Sequence, residues 1–147
     1  RVPELGATLT AFAAPGKLPV HLMNLEPSAE DNVGLRVEAE GAVVTIATAT
    51  RDVNAIRDEL RGVVFVDGTF FTSDELVTQE LGKSRAEDMA HQPVRESIDA
   101  LEGLAAKRKI LTHINNTNPI LREGTRERAW VIEKGWEIAW DGMEVEA

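Results

Sequence analysis

Apolar residues recur along the chain at two spacings, and the change from one to the other divides it. Residues 8–14 combine apolar and β-forming side chains and stop at Pro15-Gly16, which predicts a strand closed by a turn. Residues 18–25 predict a second short strand, ended by Glu26-Pro27. Over 33–38 the order Val, Gly, Leu, Arg, Val, Glu alternates, 42–47 is rich in β-branched residues, and Glu40-Gly41 between them predicts a hairpin. The spacing then turns helical: Val53, Ile56 and Leu60 share one face of a helix over 53–61, capped by Asp52 and ended by Gly62. Val63-Val-Phe-Val66 has no polar alternate, as in a strand covered on both faces, and it runs into Asp67-Gly68.

Ser73 opens a further predicted helix through about Leu81, with Glu75 and Glu80 toward water and Leu76 and Val77 placed to pack. Over 95–107, Ile98, Leu101, Leu104 and Ala105 mark one apolar stripe. Residues 109–114 predict a strand running into a loop, 126–134 a helix ended by Gly135, and 136–140 a last strand. Strands first, then helix and strand in alternation, give an α+β fold class. With no repeat, low-complexity tract or long linker, residues 1–147 read as a single unit.

Composition narrows the chemistry. With 147 residues, 43% of them hydrophobic, the chain can bury a real core. Sixteen Lys and Arg stand against 25 Asp and Glu, and a net charge of -9 repels phosphate backbones, which argues against nucleic-acid binding. Without cysteine there are no disulfides, thiolate metal sites or cysteine nucleophiles, so any metal must be held by His and carboxylates. No apolar run reaches the length of a membrane span, and Arg1-Val-Pro-Glu-Leu-Gly6 lacks the apolar stretch of a signal peptide, so a cytoplasmic location is expected.

Two strand ends carry candidate chemistry, because ligands gather where the strands of helix-covered sheets stop. Val66-Asp67-Gly68-Thr69 presents a carboxylate at the tip of a buried strand, and Thr112-His113-Ile114-Asn115-Asn116 presents an imidazole at the tip of the next. Together they can share a hard-to-borderline cation such as zinc, iron or manganese. The plainer reading makes Asp67 a turn cap and His113 a satisfied buried histidine. His91, in the loop Asp88-Met-Ala-His-Gln-Pro93, can exchange protons near neutral pH or simply face water. His21 is expected to point outward. Asn115, Asn116 and Asn118 are either ordinary turn residues or supports that order the His113 loop. Arg122, Arg126 and Arg128 read first as a solvated helix start, and Trp130, Trp136 and Trp140 as core or interface.

Five segments make the pattern specific. Asp31-Asn-Val-Gly-Leu-Arg-Val37, Phe65-Val-Asp-Gly-Thr-Phe70, Met89-Ala-His-Gln-Pro93, Thr112-His-Ile-Asn-Asn-Thr-Asn-Pro-Ile-Leu121 and Asp141-Gly-Met-Glu-Val145 resemble, in order, signature segments of the pyrroloquinoline quinone biosynthesis protein B family. The resemblance implies a metallo-β-lactamase-type αββα sandwich, of which this chain would be the C-terminal half. The family's His-x-His-x-Asp-His motif would lie upstream of Arg1, and its Met-Gly-His appears here as Met89-Ala90-His91.

On that resemblance Asp67 and His113 become metal ligands, His91 a catalytic residue that moves protons, and Asn115, Asn116 and Asn118 the residues that order the loop. The implied cofactor is a single divalent metal, with iron favoured over zinc. The implied function is hydroxylation of a tyrosine-derived peptide precursor of pyrroloquinoline quinone. The alternatives are a carrier for the quinone or its precursor and, third, a phosphodiesterase-like hydrolase. Expected partners are the quinone precursor, the N-terminal half or an equivalent chain, and a second copy in a homo-oligomer, with neither nucleic acid nor membrane among them.

Overall fold

The computed structural model of the protein describes residues 6–16 and 32–147. The strand expected over 18–25, and His21 with it, lie outside the described residues. The strands β1 (Ala7–Ala13), β2 (Val33–Ala39), β3 (Ala42–Ala47), β4 (Val63–Asp67), β5 (Arg108–Thr112) and β6 (Glu137–Ile138) form one mixed sheet whose spatial order is the chain order. β1, β2 and β3 are antiparallel neighbours, whereas β3, β4, β5 and β6 run parallel. The expected hairpin is present, and both turn residues take positive φ, Glu40 at 49° and Gly41 at 85°, the twist that a two-residue hairpin loop requires.

The connections between the parallel strands carry the helices α1 (Glu75–Thr78), α2 (Val94–Ala100) and α3 (Arg126–Glu133), with 3-10 turns at Asn54–Glu59, Glu87–Met89 and Pro119–Leu121. The predicted helix over 53–61 is thus a shorter 3-10 segment. Its apolar face is as expected, with Val53, Ile56 and Leu60 all buried, and Asp52 accepts from Asn54 N–H at 3.0 Å. Arg57 pins it to the end of α2 by donating to the Ala100 and Glu102 carbonyls at 2.6 and 2.8 Å.

The helix expected from Ser73 to Leu81 shrinks to a single turn; Leu76 is partly buried and Glu80 exposed as expected, but Glu75 and Val77 exchange sides. Glu75 is buried and Val77 exposed, because the Glu75 carboxylate is drawn inward to accept from Phe71 N–H at 2.7 Å and the Thr117 hydroxyl at 2.6 Å. The stripe over 95–107 also stops early, at Ala100. Ile98 and Leu101 are buried, but the chain turns at Gly103 (φ 71°) and leaves Ala105 exposed. The last strand keeps only Glu137–Ile138, tied to β5 by the paired contacts of Arg108 with Glu137 at 2.8 and 2.6 Å. Trp136 enters the core and Trp130 packs against it, while Trp140, expected in a core or interface, is 64% exposed.

Cross-strand partners share a face of the sheet, so the register sorts every strand residue. One face carries Phe12, Ala47, Val64, Val66, Leu111 and Ile138 into the core beneath the helices. The other carries the row Ala11, Leu35, Ile46, Phe65 and Ile110 beside the row Leu9, Val37, Val44 and Val63, apolar from β1 to β4 and closed at the β5–β6 edge by the Arg108–Glu137 pair. Leu35, Val37, Val44, Ile46 and Phe65 are only partly buried there. A sheet with helices on one face and an apolar second face is half of a two-sheet sandwich. No helix of the described residues is long and apolar enough to cross a membrane.

The two faces make different demands on stability. Leu111→Ala, at a fully buried position, is expected to cost about 3 kcal/mol, and Leu9→Ala, at a position 47% exposed, less than about 1 kcal/mol. Urea unfolding of the two variants measures the contrast, and equal losses would contradict this assignment of the core.

Candidate metal centre

Parallel pairing delivers the C-terminal ends of β3, β4 and β5 to one edge of the sheet. β4 ends in the buried Asp67, and His113 follows the end of β5. Gly68 draws the two ends together by donating its N–H to Thr112 O at 2.7 Å. A Cβ at this position would lie 2.9 Å from that oxygen and 3.0 Å from Cγ1 of Ile114, so only glycine allows the approach.

Asp67 Oδ1 accepts from Thr69 N–H at 3.1 Å and from the Thr69 hydroxyl at 2.6 Å. The other oxygen, Oδ2, lies 2.6 Å from His91 Nδ1 and 3.4 Å from Thr50 N–H. His113 Nδ1 approaches Oδ1 at 3.7 Å, and the two imidazoles lie 5.4 Å apart between centroids, tilted by 32°. Asp67 therefore does cap its turn, but it also faces two histidines. His91 is neither a surface group nor remote: its side chain is 14% exposed and it touches Asp67 directly. His113 is half exposed rather than a buried, satisfied histidine.

Each side chain is held by its own loop. Gln92 donates its N–H to Thr50 O and accepts from Val53 N–H, both at 2.8 Å, which seats the His91 loop on the segment after β3. Ala90 turns the chain into His91 in the left-handed region, φ 68°, where a Cβ costs about 1 kcal/mol and glycine is at ease. His113 is itself left-handed at φ 54°, the backbone strain that collects at functional positions.

The Asn-rich loop is held by its own amides and by Thr117. Asn118 is buried, donating to Gly68 O at 2.8 Å and accepting from Ile120 N–H at 3.1 Å. Asn115 donates its N–H to Thr69 O at 3.1 Å and its side-chain amide to Thr117 at 2.7 Å. Asn116 is exposed, and its side chain joins no hydrogen bond among the described residues.

Sequence reasoning missed three contributors. The Thr69 hydroxyl lies within hydrogen-bond distance of Asp67 Oδ1, of Nδ1 of His91 (3.1 Å) and His113 (2.9 Å), and of His113 O (3.0 Å). Its signal was the Asp-x-Thr spacing of a side-chain-capped turn. Thr50 reaches Asp67 through tertiary structure alone. Glu75, read as a surface group, supports the Asn loop through Thr117. Burial pushes its carboxyl above the ordinary 4.5, against the lowering effect of its bonds from Thr117 and Phe71.

Asp67, His91 and His113 offer donor atoms that all lie within 4.8 Å of one another. One carboxylate and two imidazoles form a donor set that suits zinc or non-haem iron, and the residues present fit such an ion.

Residues 1–114 match the family model described as a beta-lactamase superfamily domain. The chain belongs to the beta-lactamase superfamily. Within it, the chain is 40% identical to a Coenzyme PQQ synthesis protein B of Rhizobium meliloti, which covers 97% of this chain and 50% of that protein. It is 41% identical to the protein of the same name from Cupriavidus necator, over 98% of this chain and 50% of the relative. The crystal structure of Zn2+-bound PqqB from Methylobacterium extorquens superposes with a TM-score of 0.87 at 33% identity, covering 99% of this chain and 52% of that one. The chain thus spans about half the length of the beta-lactamase superfamily relatives it matches, consistent with the C-terminal half suggested by its motifs.

Glu75 sets a pH signature for the loop beside the site. A carboxyl whose folded pKa is raised contributes stability below the unfolded value of 4.5, and that contribution is lost as pH rises through the folded value. The stability of the protein relative to its Glu75→Gln variant is therefore expected to decline as pH rises above 4.5. Paired denaturant titrations across that rise give the difference, and a rising difference would reverse the assigned direction.

Proposed function

We propose that this chain supplies Asp67 and His113 to a single divalent-metal centre in a protein of pyrroloquinoline quinone (PQQ) biosynthesis, and that the reaction is hydroxylation of a tyrosine-derived ring in a peptide-derived precursor. The observation that carries this reading is the buried Asp67 carboxylate set between two imidazoles, in a chain 33% identical to PqqB solved with zinc. The pathway comes from the names of relatives that this chain half covers.

Iron is favoured because a single-metal site held by a carboxylate and imidazole nitrogen, with positions left open, suits dioxygen chemistry, and zinc is the alternative that the solved relative contains. When bound, such an ion supplies Lewis acidity and, as iron, the redox capacity for dioxygen chemistry. The chain's own residues supply charge and orientation. Asp67 brings the negative charge that draws a cation, and the bonds from Thr50 and Thr69 fix the directions of its oxygens. His91, anchored to Asp67 through Nδ1, keeps its second ring nitrogen for proton exchange. Residues 1–147 act in this reading as one unit, completed by an N-terminal half that brings further ligands.

A second reading, a carrier for PQQ or its precursor, is favoured by the small donor set, Asp67, His91 and His113, among the described residues. Metal content and oxygen consumption separate the two. The protein, with its complementary half present, is expected to hold roughly one divalent ion and to consume oxygen with a tyrosine-containing precursor peptide. His113→Ala should lose the ion, whereas His91→Ala should keep it and lose turnover. Thr69→Val should weaken metal affinity about 10–100-fold and Thr69→Ser much less, as for a residue that orients ligands. Full activity without metal would sink the hydroxylase. Loss of the ion from His91→Ala would make His91 a ligand instead.

A further inference from the structure

Exposed apolar side chains on this protein are mostly scattered, but Leu121 (44% exposed) and Trp140 (64% exposed) converge on one depression. It is a cavity of about 420 Å³ lined also by His113, Ile114 and Asp141. Three elements build it: the loop after β5, the 3-10 turn Pro119–Leu121, and the segment after β6. The turn that holds Trp140 is closed by Met143 N–H donating to Trp140 O at 3.0 Å. Because His113 belongs both to this cavity and to the Asp67 cluster, whatever occupies the cavity lies against the candidate metal centre.

We infer that this cavity is a binding subsite for a single aromatic ring carrying a cationic amine, with the ring against Trp140 and Leu121 and the amine toward Asp141. The volume suits one ring and its short side chain. An exposed indole offers a flat apolar face for stacking and a quadrupole that favours cations. Asp141 is the acidic group of the lining, and no arginine or lysine lines the cavity, so charge complementarity selects an amine over a carboxylate. Ile114 and Leu121 supply the apolar walls that favour a ring over a fully polar ligand.

The subsite deepens the proposed function by defining what is presented to His113, and it rests on that reading only for the reaction that follows binding. Calorimetric titration with tyramine tests the binding itself, with 3-(4-hydroxyphenyl)propionate as the anionic counterpart of similar ring and length. Tyramine should bind saturably, and the anion about two- to fivefold more weakly, the effect of one exposed charge pair. Trp140→Ala should abolish tyramine binding and Trp140→Phe retain most of it. Asp141→Asn should erase the preference for the amine while keeping ring binding. These positions are exposed, and an unchanged thermal midpoint verifies that each variant is folded.

Absence of saturable binding, or equal binding by Trp140→Ala and the parent protein, would overturn the inference. Equal affinity for amine and anion would overturn the role of Asp141. Metal content measured on the same samples keeps the two readings apart. Bound metal without tyramine binding removes the subsite and leaves the centre, and tyramine binding without metal does the reverse.

Discussion

The bond from Gly68 N–H to Thr112 O joins the ends of β4 and β5 at the point where their ladder would otherwise finish. Everything chemical in this chain hangs on that closure. Asp67 stands one residue before it and His113 one residue after it, on strands whose spacing is set by parallel pairing. A side chain at position 68 would separate them, since its Cβ would press on both Thr112 O and Ile114. Asn118 reinforces the closure from below by bonding to the Gly68 carbonyl, so the loop that follows His113 braces the turn that follows Asp67.

The same edge explains why a carboxylate is tolerated with no exposure. Asp67 is surrounded by donors from Thr50, Thr69 and His91, and a buried polar group with a filled hydrogen-bond shell avoids most of the cost of leaving water. The sheet beneath is rigid where it must be. Its helix-side core fixes β4 and β5 through Val64, Val66 and Leu111, while the opposite apolar face, with Leu35, Ile46 and Phe65 half-buried, is shaped to meet a second sheet. That division into one covered and one open face is the αββα plan seen from a single half.

Strands and their ends were the readable part of the sequence. Alternation gave the hairpin of β2 and β3, an uninterrupted apolar run gave β4, and Asp67 followed as the last paired residue of β4 and His113 as the residue just past β5. Helix lengths were less readable, because short helices are set by tertiary hydrogen bonds rather than by stripes. Glu75 shows the reason. A polar side chain early in a predicted helix reads as solvent-facing, yet the Thr117 hydroxyl and Phe71 N–H that turn it inward lie on other segments. Thr50 is similar, reaching Asp67 across 17 residues. Trp140 stays out of the core because β6 ends before it.

Thr69 carries a consequence of another kind. A hydroxyl has one proton to give and two lone pairs to offer, and this one is within reach of a carboxylate oxygen, two ring nitrogens and a carbonyl. Those groups compete for the same atom, so altering any of them redistributes the bonds of the rest. Substitutions among Asp67, Thr69, His91 and His113 should therefore be epistatic, their effects failing to add as those of distant sites do. Variation in this cluster would then pass more easily through coordinated changes than through independent ones, leaving it slow to drift while the surrounding surface diverges.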